Sequence, residues 1–562
     1  MPGTSLREFL RAYSDKRKEH VFVVEDEIDT EYEPTAYYKL LESKGNPIIW
    51  FKKIKGFEDF ELVTNVMGSE DRAAFALNSE ENRLLETMQK IASDTREESL
   101  GELERDAPIK EVVLTGDEAD LFKLPIPKHY AEDGSNSGFG RYISSGLAVA
   151  RDPSSPNTIN LSYTRIQVIG PRKYAFDMGS RGHLWRYINE AASDRNRHRP
   201  LPISVLIGAH PLFYLLAASF VENEYFKARA VEDFTFTSGV VNENIPLPSD
   251  TEIVIEAEVL PGESFPEGPF GEFTGYTSRR TTGNVARVKS ILRRFHPIYY
   301  DIQASNSNEH VGLFSIPRNA AISASINNFM PPGSTYAIKW PNKASHFLAM
   351  CRVQKPEPGL AKQIGLALLG MDPLFSKIVL VEERGNKNED GQMSLESFLL
   401  NLALRGDFEK RVNVIPDVFC IKLEQASNAK GITGKMLIVA NADSDGKSES
   451  SAGYQKIVDS AHKVRLVAGG RTMVVFSHSE TNEGSVNVVV GSDVDLSNED
   501  EVMWAFVTRL RPDKDVVFFK QHENSADSPK LLFRATELNS PIPTIPLEVL
   551  ERVSARLARQ NK

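Results

Sequence analysis

Cysteine is almost missing from this chain: Cys351 and Cys420 are the only two among 562 residues. Two thiols cannot make a disulfide framework, and they exclude a cysteine-rich metal centre. Long apolar runs are missing as well. No stretch reaches the 18 uninterrupted apolar residues that a spanning helix needs, so no membrane span is expected. The opening residues, Met1 to Glu8, lack the basic region and apolar stretch of a secretory signal. Together with the scarcity of cysteine, this makes the reducing cytoplasm the expected compartment. Positive charge is in deficit, with a formal net charge of -11, which argues against a nucleic-acid partner. The stretch over about 384–486 has no glycine-rich nucleotide loop either, since Gly469-Gly470 is too sparse to count as one.

What is present has the balance of an ordinary soluble globular protein, 41% hydrophobic and 25% charged. The length exceeds one compact core and suggests roughly three or four domains. Residues 1–105 read as a small α/β domain, with Leu6, Phe9, Leu10 and Tyr13 on one helical face and short strands at 20–24, 47–51 and 61–66. From 106 to 322 the pattern turns toward β. Segments 142–150, 158–168, 203–207, 252–260 and 284–292 are rich in Ile, Val, Thr and Tyr and are bounded by Gly, Pro and Asn. This predicts a barrel or sandwich with helices inserted at 183–192 and 212–226, a usual seat for a flat cofactor. Residues 323–562 return to α/β, with strands at 347–353 and 378–381, a helix at 361–369 and an elaboration over about 384–486. A terminal amphipathic helix over 546–557 carries Leu547, Leu550, Val553 and Leu557 on one face. That face suits either a subunit contact or packing on its own domain.

The stretch Pro266-Glu267-Gly268-Pro269-Phe270-Gly271-Glu272 places two carboxylates five residues apart across a turn shaped by proline and glycine. Two carboxylates in one pocket push their pKa values apart, the arrangement acid–base work requires. A plain solvated turn is the alternative reading of the loop taken alone. Arg165 lies in an otherwise apolar strand and needs a partner if buried; Glu267 or Glu272 could supply it. Asn160, His183 and a glutamate at 222 or 224 form a plausible oxygen-rich ligand set, better suited to Mg²⁺ or Mn²⁺ than to Zn²⁺.

In order and spacing, Asn160-x₄-Arg165, His183, the strand at 252–256 and the Glu267 to Glu272 loop resemble the UbiD family of prenylated-flavin decarboxylases. The resemblance continues through Pro331-Pro332-Gly333 and 359–363 to 492–495 and 502–509, so it covers most of the chain. It implies an α/β multidomain fold with a central split β-barrel that binds prenylated FMN and a C-terminal oligomerisation domain. It further implies Arg165, Glu267 and Glu272 as the catalytic Glu-Arg-Glu network, with Glu272 protonating carbon and Glu267 orienting the arginine. Asn160, Ser162, Tyr163, Arg165, His183, Ser219 and Glu224 are implied as cofactor contacts. Among them, Asn160, His183 and Glu224 would hold Mn²⁺ or Mg²⁺, with K⁺ as a companion ion. The activity implied is reversible decarboxylation of an aromatic, heteroaromatic or α,β-unsaturated acid. A flavin prenyltransferase would supply the cofactor, and the enzyme would be a homodimer or larger. A flavin oxidoreductase on a similar barrel and a non-catalytic subunit of a carboxylase complex are the competing readings.

Overall fold

The computed structural model describes residues 3–94, 99–178, 182–193, 199–219, 221–279, 283–328, 330–331, 335–354, 357–384, 393–428, 431–441, 454–459, 463–519, 530–538 and 540–560. They form two compact units, 1–320 with 541–562, and 321–540.

The first unit opens with the helix Leu6–Lys16. Ser5 caps it, and Glu8 closes the reciprocal capping box. Its apolar face buries Leu6, Phe9, Leu10 and Tyr13, as the 3.6-residue spacing predicts. A four-stranded sheet follows, in the order Val21–Ile28, Ile48–Ile54, Glu61–Thr64, Ile298–Asp301. The last strand arrives from more than 200 residues further on and pairs in parallel with Glu61–Thr64. No local pattern signals such a pairing.

The larger sheet has nine strands. Its path runs Tyr142–Ile143, Ile166–Gly170, Lys173–Phe176, Asn284–Arg293, Ile253–Ser264, Leu201–Ile207, Leu147–Arg151, Ile159–Tyr163, and Val112–Thr115 also joins Asn284–Arg293. The two ends of this path belong to one hairpin. Ser144-Ser145-Gly146 links the first strand to Leu147–Arg151, and Thr164-Arg165 links Ile159–Tyr163 to Ile166–Gly170. Tyr142 pairs with Gln167 on one side of that joint and Leu147 with Tyr163 on the other, while Thr164 N donates to Gly146 O at 3.0 Å across it. The circuit of strand neighbours therefore returns to its start, in the manner of a barrel. Gly146 permits the close crossing: a Cβ there would meet Ile166, Val205 and the Thr164 carbonyl at 3.1–3.2 Å. Alternate residues enter different cores, Leu147 and Val149 in one and Ala148 and Ala150 in the other, the two-residue period of a strand buried on both faces.

The predicted strand over 158–168 is thus two strands broken at Thr164-Arg165. The predicted helix over 212–226 is likewise two, Pro211–Ala217 and Glu224–Arg229. The terminal helix, Leu547–Gln560, was expected within the C-terminal domain but packs in the first unit. Val549, Val553 and Leu557 are buried there with Ala36, Tyr37 and Leu41, and Arg552 and Arg556 both pair with the buried Glu33.

The second unit holds two sheets. Thr335–Lys339, Leu348–Gln354, Ile378–Arg384, Ile432–Asn441 and Val412–Phe419 form one, with its three central strands parallel. The other runs Gln455–Val458, Val464–Ala468, Arg471–Ser477, Val486–Val490, Lys530–Ala535, Val516–Phe519. Residues 384–486 contribute strands to both sheets, so the expected elaboration is woven into the unit. Its polar stretches at 385–392 and 442–453 lie outside the described residues. No described helix is long and apolar enough to cross a membrane.

Candidate active site

Local chemistry shapes the carboxylate loop. Phe270–Gly271 pairs with Thr277–Ser278, and the turn between them closes through Glu272 N to Tyr276 O and Gly275 N to Glu272 O, both 2.9 Å. Gly275 takes φ +84° there, a conformation that favours glycine. The other half of the loop is held by side chains from elsewhere. The Gly268 amide donates to Gln167 Oε1 at 2.8 Å, Tyr142 Oη donates to Gly268 O at 2.9 Å, and Asn136 Nδ2 donates to Pro266 O at 2.5 Å. Gln167 Nε2 in turn donates to Asn136 Oδ1 at 2.6 Å. A Cβ at Gly268 would lie 1.8 Å from that Asn136 oxygen, so a larger residue there would displace the Asn136 side chain that holds Pro266.

Both carboxylates end on one guanidinium. Arg165 leaves the hairpin at the joint between its two strands; its Nε meets Glu267 Oε1 at 2.5 Å and its Nη1 meets Glu272 Oε1 at 2.7 Å. Ser278 Oγ also donates to Glu272 Oε1, and the Phe270 ring centroid lies 4.8 Å from the guanidinium carbon. Glu267 and Glu272 are 1% and 3% exposed. Burial pushes the Glu267 carboxyl above its usual range despite Arg165. Although burial opposes charge on Arg165 itself, Glu272 and Glu267 hold its pKa above the usual value. Among the described residues, two buried atoms of this trio lack a partner, Arg165 Nη2 and Glu267 Oε2. A cation between two carboxylates, with one donor left over, can receive a third anion and can share a proton with its neighbours.

His310 is a neighbour that the sequence reading missed. It lies on the helix Asn308–Asn327, its Nδ1 is 3.0 Å from Ser305 O, and its ring stands edge-on to Phe273. Donation to that carbonyl places the hydrogen on Nδ1 and leaves Nε2 as the acceptor. Burial lowers its pKa while Glu272 acts in the opposite sense. A lone histidine 38 residues beyond Glu272 carries no spacing signal.

The expected ligand residues also converge. Asn160 stands on Ile159–Tyr163, and its Oδ1 lies 3.1 Å from His183 Nδ1 at the start of the helix His183–Ser193. Glu224 opens the helix Glu224–Arg229, and its Oε2 accepts from the Leu161 amide at 3.1 Å. Glu224 is 2% exposed, and burial pushes its carboxyl up to about 8. Glu222 is exposed to solvent, so burial separates the two glutamates that spacing alone could not. Ser162 Oγ accepts from Asn160 Nδ2 at 2.6 Å, Tyr163 Oη donates to Ser144 O at 3.1 Å, and Ser219 Oγ donates to Leu215 O at 2.8 Å. Ser180 and Arg181, before His183, lie outside the described residues. Among the described residues no three His, Cys, Asp or Glu side chains gather as a metal cluster; this trio includes an amide.

Comparison with known proteins agrees with this architecture. Residues 14–92 match the 3-octaprenyl-4-hydroxybenzoate carboxy-lyase N-terminal domain, 102–306 its Rift-related domain and 471–530 its C-terminal domain. The UbiD-class enzyme HmfF from Pelotomaculum thermopropionicum, solved in complex with FMN, is 26% identical with a TM-score of 0.69, over 79% of this chain and 96% of that one. An evolved dimeric form of HmfF in complex with prFMN is similar over 97% of both chains, at 23% identity and a TM-score of 0.61. The 3,4-dihydroxybenzoic acid decarboxylase of Enterobacter cloacae shares the fold at 20% identity and a TM-score of 0.69, over 78% of this chain and 94% of that one. Fold and matched domains define a carboxy-lyase enzyme. The chain belongs to the UbiD family.

Proposed function

We propose that the enzyme reversibly decarboxylates an aromatic, heteroaromatic or α,β-unsaturated carboxylic acid on a prenylated FMN, using Arg165, Glu267 and Glu272. The observation that carries this reading is the buried guanidinium held between two carboxylates with Nη2 unpartnered. Flavin as the cofactor class is supported by the HmfF complexes with FMN and prFMN. When bound, a prenylated flavin supplies the electron sink that a carboxyl on an sp² carbon lacks.

The chain's own residues do the rest. Arg165 Nη2 pairs with the substrate carboxylate in a charge-assisted hydrogen bond beside two buried carboxylates. Glu267 orients the guanidinium through Nε. Glu272 delivers a proton to the carbon that loses carbon dioxide, and Ser278 holds its carboxyl in place. In the carboxylating direction Glu272 takes that proton back. Asn160, His183 and Glu224 would hold Mn²⁺ or Mg²⁺ and through it the flavin phosphate. An amide oxygen, an imidazole and a buried carboxylate make a donor set for a hard divalent ion, and a cation would offset the cost of charging Glu224. Ser162, Tyr163 and Ser219 would line the cofactor, with K⁺ as a companion ion. The partners are a small carboxylic acid, a flavin prenyltransferase and a second copy of the chain, in the cytoplasm.

The test is co-expression with a flavin prenyltransferase, followed by ultraviolet-visible spectra and a carbon dioxide assay over a panel of cinnamate-like, phenolic and heteroaromatic acids. A bound modified flavin and turnover of at least one acid are expected. Flavin reduction by a nicotinamide without carbon dioxide release would replace this reading with an oxidoreductase.

A further inference from the structure

The segment Pro541-Ile542-Pro543-Thr544-Ile545-Pro546 follows directly on residue 540, the last of the second unit, and belongs to the first. Three prolines lock it extended and remove donors, so it cannot continue a ladder. It nonetheless lies against the edge of the hairpin that bears Glu272. The Thr277 amide donates to Pro541 O at 2.8 Å, and Thr277 is the residue paired with Gly271. Three residues on, Thr544 is clamped to the loop ahead of the barrel. Its carbonyl accepts from the Ala131 amide at 2.9 Å, and its N–H and Oγ1 donate to the Glu132 carboxylate at 3.0 and 2.7 Å. Ile545 then packs on the small apolar cluster of Tyr130, Tyr142, Phe270 and Ala304. Phe270 carries the Arg165 guanidinium on its face, and Tyr142 holds Gly268. The strap thus touches the edge of the hairpin through Pro541 and the apolar cluster that includes Phe270 through Ile545, and the helix Leu547–Gln560 begins directly after it.

We infer that residues 541–546 are a positioning strap for the Glu272 hairpin, with Thr544 and Ile545 its working contacts. The strap holds Glu272 at the distance from Arg165 that proton delivery requires. This inference rests on the reading of Glu272 as the proton donor. Thr544 meets Ala131 and Glu132 and Ile545 meets the Tyr130 cluster, so both act through the hairpin and are not catalytic residues.

The test uses the full chain in three variants. Ile545→Ala and Thr544→Val loosen the strap at two independent contacts. Leu557→Ala destabilises the following helix from a buried position away from the hairpin. Hydrogen–deuterium exchange followed by mass spectrometry reads the amides of Glu272, Gly275 and Thr277 without any substrate. In the strap variants these amides are expected to exchange roughly fivefold faster, and in Leu557→Ala at the wild-type rate. With an acid from the panel, strap variants should lose ~10-fold in kcat while KM stays within about twofold, the mark of a displaced group that acts in the transition state. Equal exchange in all three variants would overturn the strap, as would faster exchange with an unchanged kcat. The exchange measurement is independent of the chemistry, so its failure removes the strap alone. Wild-type turnover in Glu272→Gln removes the proton-donor reading whatever the strap does.

Discussion

Glu267 and Glu272 are close in sequence, yet each meets Arg165 at a different nitrogen. Their substitutions should therefore differ. Glu272→Gln keeps the shape and the Ser278 contact but cannot donate a carboxyl proton; it should retain flavin and lose at least ~10²-fold in turnover, the lower range for a positioned acid. Steady-state rates with an acid from the panel check this, and activity within a few-fold of wild type would take proton transfer away from Glu272. His183→Ala should lose divalent metal and flavin together, and metal analysis of the purified protein decides it; a full flavin complement with no divalent ion would sink the ligand assignment. A third residue sets a pH dependence of stability. Glu309 is fully buried, accepts from the Asn65 and Met67 amides and from Tyr300, and burial pushes its carboxyl up to about 7. Because the folded pKa is raised, the folded state binds the proton more tightly. Its stabilising effect is complete below the unfolded pKa of about 4.5 and is lost as pH rises toward 7. Denaturant titrations at pH 5 and pH 8 should show the wild type losing on the order of 3 kcal/mol more than Glu309→Gln over this window. Parallel pH profiles would mean that Glu309 stays ionised throughout.

At the level of elements, periodicity and turn chemistry resolved what is local. The capped first helix, the Pro-Gly loop and most barrel strands follow from three- to four-residue and two-residue spacing and from Pro and Gly positions. The break at Thr164-Arg165 was not predicted, although the apolar alternation Ile159, Leu161, Tyr163 changes phase to Ile166, Val168 across it; pairing with the segment around Gly146 shows the joint. The terminal helix showed its apolar stripe in the sequence, and its two possible partners could not be told apart there. In the structure Glu33 and the apolar face of Glu33–Glu42, in the first unit and outside the expected C-terminal domain, receive it. Leu557→Ala should accordingly cost ~2–4 kcal/mol of unfolding free energy, as for other buried leucines, without changing oligomeric state. Chemical denaturation with light scattering checks both parts, and a variant that becomes monomeric would return the helix to a subunit interface.

For the whole molecule, the second unit exposes apolar side chains on sheet edges: Phe419 on Val412–Phe419, Ile457 and Val458 on Gln455–Val458, and Phe519 on Val516–Phe519. Edges of this kind are normally covered or blocked by charge, so a second copy is their expected cover. Light scattering should give at least twice the 62.7 kDa of one chain, and the pair Phe419→Glu with Ile457→Glu should shift the protein toward monomer. A monomeric wild type at micromolar concentration would overturn this. That two of these three edges come from the stretch read as an elaboration was not visible in the sequence, since strand order is a matter of distant partners.

The amino-acid sequence by itself determined a cysteine-poor α/β chain, a rigid turn with two carboxylates and an arginine that needs an anion if it is buried. These are short-range properties, carried by φ preferences, by side-chain spacing and by the cost of burying a charge alone. Tertiary structure decided which groups meet. It left Glu222 in solvent and buried Glu224 beside Leu161, brought His310 edge-on to Phe273, the neighbour of Glu272, paired Ile298–Asp301 with Glu61–Thr64 and laid Pro541 on Thr277. Each of these contacts closes a long loop. Its gain depends on the burial of surfaces from distant segments, which no window of neighbouring residues records.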